Sequence, residues 1–272
     1  MVRGRTVCML GLTALANFAP VSARAEPWPA CAGSGLAPTI VEASGARDGA
    51  TFRLSDGREV RLAGVVAANN LDGDPDAAKR ATAALDRLVA GKRIFLYSAP
   101  GGADRYGRLI AQVALADDEG VWVQGVLVAN GVLRAGPEAG EPACGAALIA
   151  QERGARAAKI GLWAEPRFAV ESANNLALLN AAIGRFAVVE GLVIRVGERS
   201  SRTYIDFGRR YSEDFTIVIP RAAYAEFRAA GIVLQALRGK RVRGRGVLFS
   251  AGGPAIEIRK PASLEIVQGS GT

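Results

Sequence analysis

The 272-residue chain contains no histidine and only three cysteines, Cys8, Cys31 and Cys144. Without imidazole there is no Ser-His-Asp triad and no histidine general base, and so few thiolates leave a zinc site short of ligands. Any metal or base must therefore act through oxygen. Low-complexity sequence is lacking as well, apart from the small-residue tail "QGSGT", residues 268–272, which is expected to stay disordered. The apolar run near the N-terminus falls short of the ~20 residues a membrane-spanning helix needs, and Asn17 and Pro20 interrupt it.

That segment has instead the form of a secretory signal. Arg3 and Arg5 make its charged start, Thr6 to Val21 its apolar body, and Ala23-Arg24-Ala25 a small-x-small cleavage site. Residues 1–25 are accordingly expected to be removed and the protein exported, to the periplasm or beyond, with a retained membrane anchor as the alternative. Loss of the leader takes Cys8 with it. Cys31 and Cys144 remain, an even pair in a compartment where disulfides persist, and are expected to bridge unless they are two unpaired small apolar side chains.

The formal charge is +8, from 34 basic and 26 acidic residues, and +5 once the leader is gone. Its distribution is uneven. Gly184 to Thr272 holds 15 basic and 8 acidic residues, net +7, whereas Glu26 to Ile183 is net −2. The charge that attracts a polyanion therefore lies in the C-terminal third.

The pattern of the chain suggests two β-rich units. In the first, β-type runs at Thr39–Ala43, Thr51–Leu54, Glu59–Val65, Arg93–Tyr97 and Arg108–Leu115 are separated by Asp-Gly and Gly-Gly turns. A helix is predicted between the third and fourth, capped by Asp76 and stopped by Gly91, with Ala81, Leu85 and Leu88 on one face. Two more helical segments follow. Five short strands with an inserted helix predict a barrel of the oligonucleotide-binding (OB) type over residues 26–168. A linker is expected at 169–183, and a second unit at 184–267 reads strand, strand, strand, helix, strand, strand, again the order of an OB-like barrel. The fold class expected is mainly β with helices (α+β).

Within the first unit, four ordered stretches resemble the staphylococcal-nuclease-like (thermonuclease) family: "DGATFRL", "GREVRLAGVVAANN", "DRYGRLIAQV" and "GLWA". The resemblance implies a calcium-dependent phosphodiesterase frame, in which carboxylates hold the metal, a glutamate acts near the attacking water, and two arginines hold the phosphate. The carboxylate positions fall on Ala50, Val66 and Asn69, while Arg61 and Arg108 match the two arginines and Asp48 and Thr51 remain at the turn. Alanine and valine cannot ligate a cation, and an amide is too weak a base to help deprotonate water. Losing one such electrostatic contributor commonly costs about 100- to 1,000-fold in rate. Hydrolysis by the family's route is therefore not expected, and Arg61 and Arg108 are left either as phosphate-binding residues or as partners of Asp48, Asp56 or Asp104. Restoring all three carboxylates is expected to rebuild a calcium site facing those arginines.

The alternative enzyme reading rests on "NNLDGDPDA", where Asp72, Asp74 and Asp76 offer a substitute metal site on a loop; a solvated loop capping the next helix is the other reading. No cofactor is expected unless this loop binds calcium. In the second unit, Tyr204, Phe207, Arg209 and Arg210, with Arg241, Arg243 and Arg245 on one face of a strand, form the expected surface for single-stranded nucleic acid or another polyanion. An envelope scaffold or protein-interaction module is the remaining alternative.

Overall fold

The computed structural model describes residues 38–69, 72, 74–116, 120–137, 142–210 and 212–267. The leader, Cys31, Tyr211 and the 268–272 tail lie outside these residues, whereas Cys144 is buried.

The first unit contains β1 (Thr39–Asp48), β2 (Thr51–Leu54), β3 (Glu59–Leu62), β4 (Val65–Val66), α1 (Pro75–Val89), β5 (Arg93–Ala103), β6 (Leu109–Leu115), α2 (Val123–Ala129), β7 (Arg134–Ala135) and α3 (Pro142–Ala158). Strands β1-β2-β3-β6-β5 close into a barrel, with β3 and β6 parallel and the other pairs antiparallel. Two register shifts in β1, between Ala43 and Gly45 and between Ala46 and Asp48, accompany its pairing with β5 at one end and β2 at the other. Helix α1 begins one residue pair earlier than its sequence suggests: Asp74, not Asp76, is the cap, accepting from the Ala77 amide at 2.9 Å, because Pro75 occupies the first helical position. Its buried residues Ala77, Ala81, Leu85 and Val89 recur every fourth position, and Gly91, at φ +66°, takes the chain out of the helix.

The second unit contains β8 (Glu171–Ser172), α4 (Leu176–Ala181), β9 (Phe186–Leu192), β10 (Arg195–Glu198), β11 (Arg202–Asp206), β12 (Thr216–Pro220), α5 (Tyr224–Ala229), β13 (Arg241–Ala251), β14 (Gly253–Glu257) and β15 (Leu264–Val267). Its sheet runs β10-β11-β12-β14-β13-β9-β8, with β15 added to β13. Only Val193 and Ile194 separate β9 from β10. Joined across them, the segments follow the same strand order as the first barrel, with the parallel pair, β12 and β14, in the corresponding place. Residues 169–183, read above as a linker, are structured: β8 pairs with β9, and Leu179 of α4 is fully buried in the second core.

The two units meet in a seam that is apolar in one part and ionic in another. Ala155 and Trp163 pack against Phe186 and Val188, with Val66 and Val170 beside them. Arg134, 2% exposed, has its guanidinium 5.1 Å from the Phe168 ring and 5.0 Å from that of Phe186, and donates to the Phe186 carbonyl at 2.9 Å. Beyond it, Arg245 of β13 donates to Glu152 of α3 at 2.7 Å, to the Ala135 carbonyl at 3.2 Å and to Glu265 of β15. Glu152 in turn accepts from the Ala135 amide at 2.7 Å.

Burial acts to raise the Glu265 carboxyl, but the guanidinium groups of Arg245, Arg156 and Arg243 outweigh it and hold the group down to about 2. Its unfolded value is the higher one. The stabilisation linked to Glu265 is therefore complete above about pH 4.5 and is lost as pH falls toward 2, amounting to about 3 kcal/mol. Urea denaturation from about pH 6 to about pH 3 should show this decline, and Glu265→Gln should flatten it; an unchanged slope in the variant would place the titration elsewhere.

Candidate functional sites

The β1-β2 turn, the start of β2, β3 and the β5-β6 turn bring Asp48, Thr51, Arg61, Asp104 and Arg108 together on the first barrel. Asp48 accepts from the Ala50 amide at 2.8 Å, which fixes the turn. Arg108 is held by Asp104, through Nε at 2.8 Å and Nη2 at 2.6 Å, and its Nη1 lies 3.5 Å from the Thr51 hydroxyl. Arg61 is half-buried and donates to the Val65 carbonyl at 3.3 Å. Burial, and then the neighbouring Arg108 charge, lower its pKa, while Asp48 and Asp104 oppose the shift. Beside the cluster, Tyr106 is 68% exposed, with the Arg105 and Arg108 guanidiniums 4.9 and 5.2 Å from its ring centroid. Of the alternative partners, Asp104 pairs with Arg108, and Asp56 pairs with Arg58 instead.

The three positions that lack carboxylates have been absorbed into packing to different degrees. Ala50 is fully buried in the barrel core. Val66 packs on the seam cluster that includes Phe186, and a Cβ added at Gly136 would lie 2.4 Å from it. Asn69 is exposed. A hard divalent cation needs several oxygen ligands, and this set does not provide them.

The loop aspartates take three separate settings. Asp72 is buried, accepts from the Asn69 amide at 2.9 Å and faces Arg134 at 3.5 Å. Asp74 caps α1, and Asp76 is exposed beside Lys79 at 3.3 Å. Among the described residues, no three His, Cys, Asp or Glu side chains gather as a metal site would require. The spacing that suggested a calcium loop serves a helix start and a buried ion pair.

Residues 59–165 match the family model described as "Staphylococcal nuclease homologue". This segment is a staphylococcal-nuclease-like domain. The match takes in Arg61, Val66, Asn69 and Arg108, and the barrel is completed by β1 and β2, which precede it; Asp48, Ala50 and Thr51 lie on these strands and the turn between them. No curated protein matches the chain. Of the described residues, no helix is long and apolar enough to cross a membrane.

In the second unit the structure separates the residues grouped in sequence. Phe207 is 5% exposed and packs at a tilt against Phe215 in the core, ring centroids 5.1 Å apart, so it is not available to a ligand. Arg245 is fully buried in the seam and is likewise withdrawn. Arg243 is mostly covered and pairs with Glu190 at 2.6 Å, whereas Arg241 is about half exposed. Arg209 and Arg210 are exposed, the latter paired with Glu213 at 3.2 Å. The alternation of Arg241, Arg243 and Arg245 does place them on one face of β13, but the nuclease-like domain covers much of that face.

Tyr204 has a different setting. It lines a groove of about 640 Å³ on the outer face of β10, β11 and β12, together with Arg195, Arg199, Arg202, Val218 and Phe249. The one acid in the lining, Asp206, is buried and engaged by Arg195 at 2.7 Å and by the Thr216 hydroxyl at 3.3 Å. The groove thus combines three arginines with two aromatic rings and a neutralised acid. Sequence reasoning missed Arg195, Arg199, Arg202 and Phe249. The available signal was the alternation Arg195-x-Gly197-x-Arg199 followed by Arg202-x-Tyr204, which sets these residues on one face of a hairpin.

Proposed function

We propose that the protein binds single-stranded nucleic acid through this groove and that its nuclease-like domain acts as a non-hydrolytic frame. The observation that carries the reading is the groove itself, where cations can follow phosphates while Tyr204 and Phe249 offer surfaces on which bases stack. The strand order of the second unit is that of an OB-like barrel, a fold that binds oligonucleotides on the face of its second and third strands. In this chain β11 and β12 hold those places. The nuclease-like domain is consistent with the same ligand class; in it Asp104 already holds Arg108 through Nε and Nη2, which leaves Nη1, beside the Thr51 hydroxyl, for a backbone phosphate. Export is part of the proposal and rests on the signal-like leader and the even cysteine pair of the mature chain.

The test is fluorescence-anisotropy binding of a single-stranded oligonucleotide across a salt series. Arg199→Gln and Arg202→Gln should each reduce the slope of log affinity against log salt by about 0.7, one phosphate contact apiece. Tyr204→Ala should weaken binding by about 1–3 kcal/mol with little change in slope. Full affinity in all three variants would exclude the groove.

A further inference from the structure

The seam between the two units carries more guanidinium groups than carboxylates to meet them. Arg153 and Arg156 of α3 and Arg241, Arg243 and Arg245 of β13 gather around Glu152, Glu190 and Glu265, five positive groups against three negative ones. Glu265 is the focus: it accepts from Arg245, from Arg153 at 3.1 Å and from Arg156 at 3.4 Å, and Arg243 lies 3.6 Å away. Arg245 and Glu152 neutralise each other in the fully buried part of the seam. The surplus positive charge is left at the mouth, where Arg153 is 63% exposed and Arg241 54%.

There, Arg153, Arg243, Glu265, Ile266 and Val267 bound a notch of about 360 Å³. Arg153 commits Nε to Glu265, so its two terminal nitrogens remain for another acceptor. Arg243 keeps Nη2 on Glu190 and its Nε is buried, while its Nη1 stands 3.6 Å from Glu265, outside hydrogen-bond reach. Guanidinium forks match the oxygens of a phosphate group, and apolar walls such as Ile266 and Val267 strengthen a charge-assisted bond by excluding water.

We propose that this notch binds a phosphate-class oxyanion between Arg153 of the nuclease-like domain and Arg243 of the second unit. Because the two cations belong to different units, the anion ties α3 to β13 and stabilises the folded arrangement by linkage. The site lies apart from the β10-β11-β12 groove and does not depend on strand binding there.

The test is titration of the full-length protein with inorganic pyrophosphate, followed by calorimetry and by melting temperature. It includes Arg153→Gln, Arg243→Gln and, as a control for lost surface charge, Arg87→Gln on the exposed face of α1. One saturable site is expected, weakened at least about tenfold in both seam variants and unchanged in the control. Pyrophosphate should also raise the Tm of the wild type more than that of Arg153→Gln. Arg153 is largely exposed, so its variant remains informative even where Arg243→Gln loses the fold. An oligonucleotide titration in parallel identifies the source of the anion: reduced strand affinity in Arg153→Gln assigns the notch to a backbone phosphate, and unchanged strand affinity assigns it to a free anion. No saturable pyrophosphate binding, or binding that Arg153→Gln leaves intact, overturns the proposal.

Discussion

Arg245→Ala should cost about 3–5 kcal/mol of stability, because it leaves buried carboxylates without their central partner. Arg245 and Glu152 are both fully buried, and the arginine also serves the Ala135 carbonyl and Glu265. Arg245→Lys should recover only part of the loss, since an ammonium lacks the planar fork that reaches several acceptors at once. Replacing the pair with Arg245→Met and Glu152→Leu is not expected to be neutral either, because the Ala135 amide would lose the Glu152 oxygen it donates to at 2.7 Å. Equilibrium urea unfolding measures each cost. In the folded fraction, strand affinity and its salt slope should match the wild type. A loss of strand affinity with unchanged stability would mean that Arg245 contacts the ligand after all.

The second large effect concerns the missing carboxylates. From the sequence, Ala50→Asp, Val66→Asp and Asn69→Glu together are expected to rebuild a calcium site at some cost to the fold; the packing makes that cost the larger effect. Ala50 is fully buried in the barrel core, so a carboxylate there is desolvated close to Asp48, at a cost of about 3–5 kcal/mol if it stays charged. Val66→Asp would set a polar group against the cluster containing Phe186 and remove an apolar contact that joins the two units. Only position 69 tolerates the change, being exposed. The triple variant should therefore unfold or melt far below the wild type, with no rescue by calcium. A calcium-dependent rise in its Tm accompanied by cleavage would show that the positions still converge on a usable site.

Much of the architecture was legible because it rests on local rules. Alternating runs broken by Asp-Gly turns gave all five barrel strands, and Gly91 marked the end of α1. Pro75 shifted its start to Asp74, a detail the sequence also carried, since proline favours the first helical turn. The segment at 169–183 reads as a linker because α4 is only six residues long with a single fully buried side chain, Leu179, too short for a helical period to emerge.

The candidate binding residues were harder for two different reasons. Grouping Tyr204 with Phe207 overlooked parity: residues three apart along an extended strand face opposite sides, and here one lines the groove while the other fills the core. That error was avoidable from the sequence. The fate of the β13 arginines was not. Alternation says that Arg241, Arg243 and Arg245 share a face, but only tertiary structure says that α3 and Glu152 lie over it. Charge asymmetry locates the excess of arginines in the second unit but not which of them stay exposed, because part of the positive charge is consumed in the seam.

The most direct test of the account is one assay on the intact mature protein, with a fluorescent single-stranded oligonucleotide incubated with and without calcium and read for both binding and chain scission. The account predicts saturable binding that weakens steeply with salt, is indifferent to calcium and leaves the oligonucleotide whole. Calcium-dependent scission that purifies with the protein would contradict it.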